Sequence, residues 1–208
     1  MLLVAVDGAS PGVGKSTLCN GLAASLADAG HRVDHFREEE ILTRPEFTDV
    51  ATQFTTTKTV RPATFIQAVT DLLGNADANG TEIVVADALL PFIPSLLVWG
   101  YEESAINEFL TELSAAVVQT RIAFVYLDGI VDTSLARAEA REEPGWLDWL
   151  VDKLGQFDRA ATVDYLAAQR DLTLRLVAAQ PWDLVVLDNA DQRLAADLLA
   201  EAMARLER

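Results

Sequence analysis

The sequence predicts a three-layer α/β/α sandwich, doubly wound around five parallel strands with one continuous core. Short apolar runs of strand length recur along the chain, each followed by a stretch whose apolar residues fall at helical spacing. The first run, Leu2 to Val6, passes directly into Asp7-Gly8-Ala9-Ser10-Pro11-Gly12-Val13-Gly14-Lys15-Ser16-Thr17, which reads as a strand end, a glycine-bearing turn and a helix start. Later runs end in carboxylates, and loops at the carboxyl ends of parallel strands form the crevice of an open sheet.

The composition sets the frame. A chain of 208 residues buries roughly 70% of its unfolded surface and needs no disulfide or metal to hold a core. One domain spanning 1–208 is expected, with 50% apolar residues, 7 prolines and 11 glycines describing a compact protein. The net charge of −16, from 32 acidic and 16 basic residues, disfavours nucleic acid and anionic membrane as partners and leaves a small molecule. No secretory signal is read at the short opening run, and a reduced cytoplasm is the expected compartment. The single Cys19 reads as a small buried residue of the first helix.

The glycine-bearing turn carries the first chemistry. Unpaired N–H groups at a helix N-terminus cradle phosphate, so Gly12, Val13, Gly14, Lys15, Ser16 and Thr17 are the candidate nucleotide-binding residues. Lys15 brings a mobile positive charge to the outer phosphates of ATP, and the Ser16 hydroxyl is placed to hold a bridging Mg²⁺. Ala9 stands six residues before the lysine, where the usual pattern has glycine, with Gly8 one position earlier.

Leu18, Leu22 and Leu26 then make one helical stripe that Gly30 closes. A second strand, Arg32 to Phe36, delivers Arg37-Glu38-Glu39-Glu40 to the same rim as the loop. There Glu38 or Glu39 can take a proton from a substrate hydroxyl, and Arg37 can pair with an anionic group. The competing reading is a solvated helix start, preferred for Glu40; Asp34 is a weaker candidate base. His31 and His35 give no metal signature. The polar stretch Ile41 to Pro62 is too long for an ordinary connection and reads as a substrate-covering insertion around 41–62. Within it Phe47 and Phe54 are stacking faces or core anchors, and Lys58 and Arg61 are positive charges within reach of substrate or phosphate.

Pro62 starts a helix that runs through Phe65, Val69, Leu72 and Leu73. The central strand Thr81 to Asp87 ends in a carboxylate that fits a Mg²⁺ shell, a substrate contact, or the general base in place of Glu38. Ala88 to Trp99 is strongly apolar with two prolines; core filling, a wall for an apolar substrate and a contact with a second copy in a homodimer all read alike. A helix over Glu102 to Val118 leads to the strand Arg121 to Asp128. The next helix, capped by Asp132 or Thr133, carries Arg137 and Arg141 on one face, where two guanidinium groups would neutralise a phosphoryl group in flight. Glu139, Glu142 and Glu143 offer them ordinary surface partners instead. The break at Glu142-Glu143-Pro144-Gly145 suits a mobile lid around 134–156. A helix over Thr162 to Ala179, a last strand Trp182 to Asp188 and a terminal helix complete the sandwich, with Asn189 and Asp191 in the turn between the last two.

This order of features resembles the nucleoside and nucleotide kinase branch of the P-loop NTPases, most closely the thymidylate kinase and deoxynucleoside kinase group. In that group the second strand ends in a short Arg-Glu or Glu motif, which Arg37-Glu38 resembles. The third strand of the group ends in Asp-Arg or Glu-Arg; here it ends in Asp87-Ala88, with Arg61 as the available substitute for the missing arginine. Arg137 and Arg141 are similar to the basic residues of the group's lid. The resemblance implies a P-loop sandwich that transfers the γ-phosphoryl group of ATP to a nucleoside, nucleotide or similar metabolite. Together with the readings of the loop and the insertion, this makes Lys15, Glu38, Asp87, Arg137 and Arg141 the candidate catalytic residues and Ser16 and Asp87 the candidate holders of Mg²⁺, with Arg37, Arg61 and the stacking face of Phe54 beside the substrate.

Antibiotic- and sugar-phosphorylating enzymes share this architecture and remain alternatives. An NTP-hydrolysing regulatory or assembly protein is a further one, against which stands the absence of a guanine-selecting Asn-Lys-x-Asp motif.

Overall fold

The computed structural model describes residues 1–87, 89–191 and 193–206. Along the chain it places β1 (Leu2–Gly8), α1 (Lys15–Asp28), β2 (Val33–Phe36), α2 (Thr48–Thr57), α3 (Pro62–Ala78), β3 (Ile83–Asp87) and α4 (Ile93–Val98). There follow α5 (Glu103–Ala116), β4 (Arg121–Asp128), α6 (Val131–Arg141), α7 (Trp146–Lys153), α8 (Arg159–Ala178), β5 (Asp183–Asp188) and α9 (Ala195–Leu206). The five strands form one parallel sheet in the order β2-β3-β1-β4-β5.

Alternation along the strands divides the apolar residues between two faces. Val4 and Val6 of β1 pack with Leu18, Leu22 and Leu26 of α1 and Leu198 and Leu206 of α9. Leu3 and Ala5, on the opposite face, pack with Phe65, Leu72, Phe109, Leu110 and Leu113 of α3 and α5. The sheet is therefore wound on both sides, as the strand and helix alternation predicts. The chain leaves β1 toward β3 and β2 but leaves β4 toward β5, so strand order reverses between β1 and β4. That switch point is where an open α/β sheet opens a crevice at its carboxyl edge.

Four stretches differ from the expected layout. The 41–62 insertion is ordered: short 3-10 helices at Glu38–Leu42 and Pro45–Phe47 lead into α2. The threonines that obscure this helix are accommodated because Thr56 and Thr57 donate their hydroxyls to the carbonyls of Thr52 and Gln53 at 2.8 and 2.9 Å. Helix α4 forms despite two prolines because Pro94 occupies its first turn, where no intrahelical N–H bond is lost. Neither Asp132 nor Thr133 caps α6, which begins after an extended Ile130; Asp132 instead accepts from Arg159 Nε at 2.9 Å. Helix α8 starts three residues before Thr162, because the Asp158 carboxylate caps it by accepting from the Ala161 N–H at 2.9 Å.

The apolar stretch before Trp99 divides between two roles. Leu89, Leu90, Ile93 and Leu96 are core, whereas Phe92 and Trp99 face a cavity; Ala88 lies outside the described residues. Among the described residues no helix is long and apolar enough to cross a membrane.

Candidate active site

The loop between β1 and α1 is built around Val13. A methyl group added at Gly8 would stand 2.6 Å from one Val13 methyl, and one added at Gly129 would stand 2.9 Å from the other, so the two glycines form its niche. The Asn189 side chain donates to the Val13 carbonyl at 2.9 Å, and the Asn189 N–H bonds the Asp128 carbonyl at 2.6 Å. Gly12, at φ +81°, lies against α6: a methyl group there would meet the Ser134 carbonyl oxygen at 2.1 Å. This geometry accounts for the alanine at position 9. Its N–H pairs with the Leu127 carbonyl at 3.1 Å, continuing the β1–β4 ladder, and its side chain is buried, while Gly8 makes the close approach to Val13.

Gly14, at φ +109°, opens α1, whose N-terminus carries neither a side-chain cap nor an acidic residue in its first turn. The first-turn N–H groups of Lys15, Ser16 and Thr17 therefore face outward with the positive end of the helix dipole, and the Ser16 and Thr17 side chains are exposed. Lys15 Nζ folds back to the Ser10 carbonyl at 3.4 Å, a long contact that a better acceptor would displace.

Three carboxylates surround this loop. Asp7, at the end of β1, is buried and accepts from the Gly8 N–H at 2.8 Å. Burial pushes its carboxyl up to about 6, against the pull of the Lys15 charge and that hydrogen bond; the charges of Asp87 and Glu38 push it further up. Asp87, at the end of β3, pairs in register with Val6 and so belongs to the α1 side of the sheet. Burial, reinforced by the Asp87 charge, raises the Cys19 thiol of α1, which marks Cys19 as an inert core residue. One oxygen of Asp87, Oδ1, is buried without a hydrogen-bond partner. Glu38 is exposed at the start of the turn after β2.

A cavity of about 650 Å³ opens from this corner. Asp7, Ser10 and Lys15 form its inner end, Glu38 and Glu39 one side, and Phe54, Phe92 and Trp99 part of its apolar wall. Helices α7 and α8 close it with Leu150, Lys153, Leu166 and Gln169. Phe92 is held by a parallel stack on Phe65, with ring centroids 3.8 Å apart, and by an edge contact to Trp99 at 5.4 Å. Phe47, in contrast, is completely buried and anchors the insertion against Phe36 at 5.1 Å.

The cavity lining thus brings Lys15, Glu38 and Phe54 together beside the loop; Asp87, at the end of the neighbouring strand, does not line it, and among the described residues no arginine does. Arg37 is exposed beside His35, whose imidazole is held below its ordinary value by burial and by the Arg37 charge. Arg61 is exposed at the start of α3, where its backbone N–H bonds Gln53 Oε1 at 3.1 Å. Arg137 is exposed on α6, next to the Ala138 backbone that packs on Gly12, and Arg141 bonds Glu142 at 2.9 and 2.7 Å. Asp34 is not available as a base, because Arg44 grips it through two bonds of 2.7 and 2.6 Å and also holds Glu40 at 2.8 Å.

Sequence reasoning gave no role to Asp7, Lys153 or Gln169. Asp7 was legible as the polar end of an apolar strand, one strand over from Asp87. Lys153 and Gln169 reach the cavity only through the way α7 and α8 fold across it, for which no local pattern exists.

Among the described residues no cluster of three or more His, Cys, Asp or Glu side chains is placed to hold a metal ion. A cation held jointly with phosphate needs fewer protein ligands. The unpartnered Oδ1 of Asp87 and the exposed Ser16 hydroxyl are oxygen donors of the type Mg²⁺ takes, so the residues present fit that group.

No family model and no curated protein matches the chain. Solved structures do. An unliganded sugar kinase from Janibacter sp. HTCC2649 matches over 100% of this chain and 95% of its own, with a TM-score of 0.50 and 18% identity. Deoxyadenosine kinase from M. mycoides with bound dATP matches over 100% of both chains, with a TM-score of 0.53 and 13% identity. At such identities the likeness is one of fold: the chain has the parallel five-stranded α/β/α sandwich of these small-molecule kinases.

Proposed function

We propose that this protein is an ATP-dependent phosphotransferase that moves the γ-phosphoryl group to a nucleoside, nucleotide or similar small metabolite. The observation that carries this reading is one cavity with an uncapped helix N-terminus and Lys15 at its inner end and a carboxylate-bearing, largely apolar chamber beyond. A phosphate-binding loop serving only hydrolysis needs no such chamber for a second molecule. The two kinases of similar fold, one of them holding dATP, support the same reading.

In this reading the N–H groups of Gly12 to Thr17 and Lys15 bind the β- and γ-phosphates and stabilise charge on the oxygens of the moving group. Ser16 and Asp87 would hold Mg²⁺, which would supply charge neutralisation on the phosphates. Glu38, exposed at the chamber's side, or Asp87 accepts the proton of an acceptor hydroxyl. Phe54 offers a flat face, and the exposed Arg37 and Arg61 are the candidate contacts to an anionic part of the substrate. Residues 41–62 cover the acceptor, and 134–156, comprising most of α6 and α7, act as the lid, with Arg137 and Arg141 as its guanidinium groups.

The test is ADP release from Mg·ATP with nucleosides, nucleoside monophosphates, sugars and aminoglycosides as acceptors. Acceptor-stimulated turnover that Lys15→Ala abolishes is the expected result. Hydrolysis that no acceptor raises, or that a protein partner alone stimulates, would overturn it. Glu38→Gln and Asp87→Asn separate the two bases: the true base variant loses about 10²-fold or more in kcat, and loss of Mg²⁺ affinity identifies the metal holder.

A further inference from the structure

We infer that the phosphoryl acceptor is a hydroxyl compound carrying no phosphate or carboxylate of its own, with a flat or apolar body seated against Phe54 and Trp99. This rests on the phosphotransferase reading and narrows its substrate class.

The charge around the chamber is the first ground. Lys15 belongs to the outer phosphates of ATP, so the remaining ionisable groups on the wall are Asp7, Glu38, Glu39 and Lys153. Three carboxylates face one ammonium group, and the Lys153 Nζ rests over the Trp149 ring, 4.6 Å from its centroid. An anionic acceptor would enter this chamber next to a triphosphate and against these carboxylates, with the repulsion strongest at the buried inner end, where Asp7 stands, and screened by solvent at the exposed Glu38 and Glu39.

The placement of the arginines is the second. The side chain best matched to a phosphomonoester is a guanidinium fork. Among the described residues no arginine lines the cavity: Arg37, Arg61 and Arg137 are exposed outside its wall, Arg44 is consumed by Asp34 and Glu40, and Arg141 is bonded to Glu142.

The third ground points to what does bind. Ser10 lines the inner end of the cavity with its residue only 3% exposed, and its Oγ has no hydrogen-bond partner. A buried hydroxyl left open at the mouth of a phosphate loop is an uncharged donor and acceptor, suited to a neutral hydroxyl or amide group. The surrounding wall of Ile41, Leu42, Val50, Phe92 and Leu154 covers an apolar body and offers little to a solvated anion.

Matched acceptor pairs test this with the intact chain and Mg·ATP: thymidine against thymidine 5′-monophosphate, deoxyadenosine against its 5′-monophosphate, and glucose against glucose 6-phosphate. The expected result is a kcat/KM at least about tenfold higher for an unphosphorylated member than for its phosphorylated partner. In Glu39→Lys, which reverses one wall charge, that preference falls about tenfold or more. Equal or better use of a phosphorylated member by the parent protein would overturn the inference while leaving the phosphotransferase reading intact. Transfer to no member of any pair, with unstimulated ATP hydrolysis, would overturn both.

Discussion

The side-chain amide of Asn189 donates to the carbonyl oxygen of Val13 at 2.9 Å, tying the loop after β5 to the crown of the loop after β1 across 176 residues of chain. Both partners are buried. Asn189→Ala removes the donor and leaves a buried carbonyl unsatisfied, which costs about 1–3 kcal/mol. A lower denaturant midpoint at unchanged slope is the expected outcome. A variant as stable as the parent would show that the bond is not structural.

Two glycines of the same loop separate backbone strain from crowding. Gly14→Ala meets no atom within 4 Å and suffers only its φ of +109°, a loss of about 1–2 kcal/mol. Gly12→Ala adds to a φ of +81° the collision with the Ser134 carbonyl oxygen at 2.1 Å, which forces α6 away from the loop. Its loss is larger, at about 3 kcal/mol or more. Thermal unfolding of the two variants compares them directly, and equal losses would mean that α6 yields without resistance.

Local spacing specifies some of these elements and not others. The loop, the strand alternation and the Leu18-Leu22-Leu26 stripe rest on local spacing, and each occupies the residues that spacing assigns. Helix α2 escapes because three consecutive threonines lower helix propensity, and their compensation lies in side-chain bonds to the preceding turn. The fate of each arginine was illegible for another reason. Arg44 looks like any loop residue until β2 and the following turn bring Asp34 and Glu40 to the same guanidinium. Arg137 and Arg141 share a face by spacing, and of the two readings their neighbours allow, the surface partner holds for Arg141, which Glu142 takes.

Asp7 gives a pH signature opposite to that of a salt-bridged carboxylate. Its folded value of about 6 exceeds the ordinary 3.8, so the folded state binds the proton more tightly than the unfolded state. The resulting relative stabilisation is fully present below about pH 4 and is lost as pH rises through about 6, a change of about 3 kcal/mol at the upper end. Asp7→Asn removes this dependence, so the variant gains on the parent between about pH 4 and pH 7. Urea unfolding across that range measures it, and a constant difference would show that Asp7 titrates as an ordinary aspartate.

Arg44 holds the start of the 41–62 segment through Asp34, Glu40 and the His35 carbonyl, with its guanidinium 5.2 Å from the Phe36 ring centroid. The bonded carboxylates raise its proton affinity. Arg44→Ala leaves two partly buried carboxylates without their cation, at about 1–3 kcal/mol given their partial exposure. Arg44→Lys does not restore the loss, because an ammonium group cannot reproduce the fork. Denaturant unfolding of both variants is the check, and full rescue by lysine would reduce the contact to simple charge.

The niche that Gly8, Gly129 and Asn189 make for Val13 also has a calorimetric consequence. A receptor already folded into its binding shape gives up little chain freedom on capture, so the enthalpy of contact with an incoming polyanion is opposed by only a small ordering entropy. The heat-capacity change of that event then reports surface dehydration alone, free of any contribution from a loop that has to fold. Widening the niche with Val13→Ala would put that folding step back into the measured heat.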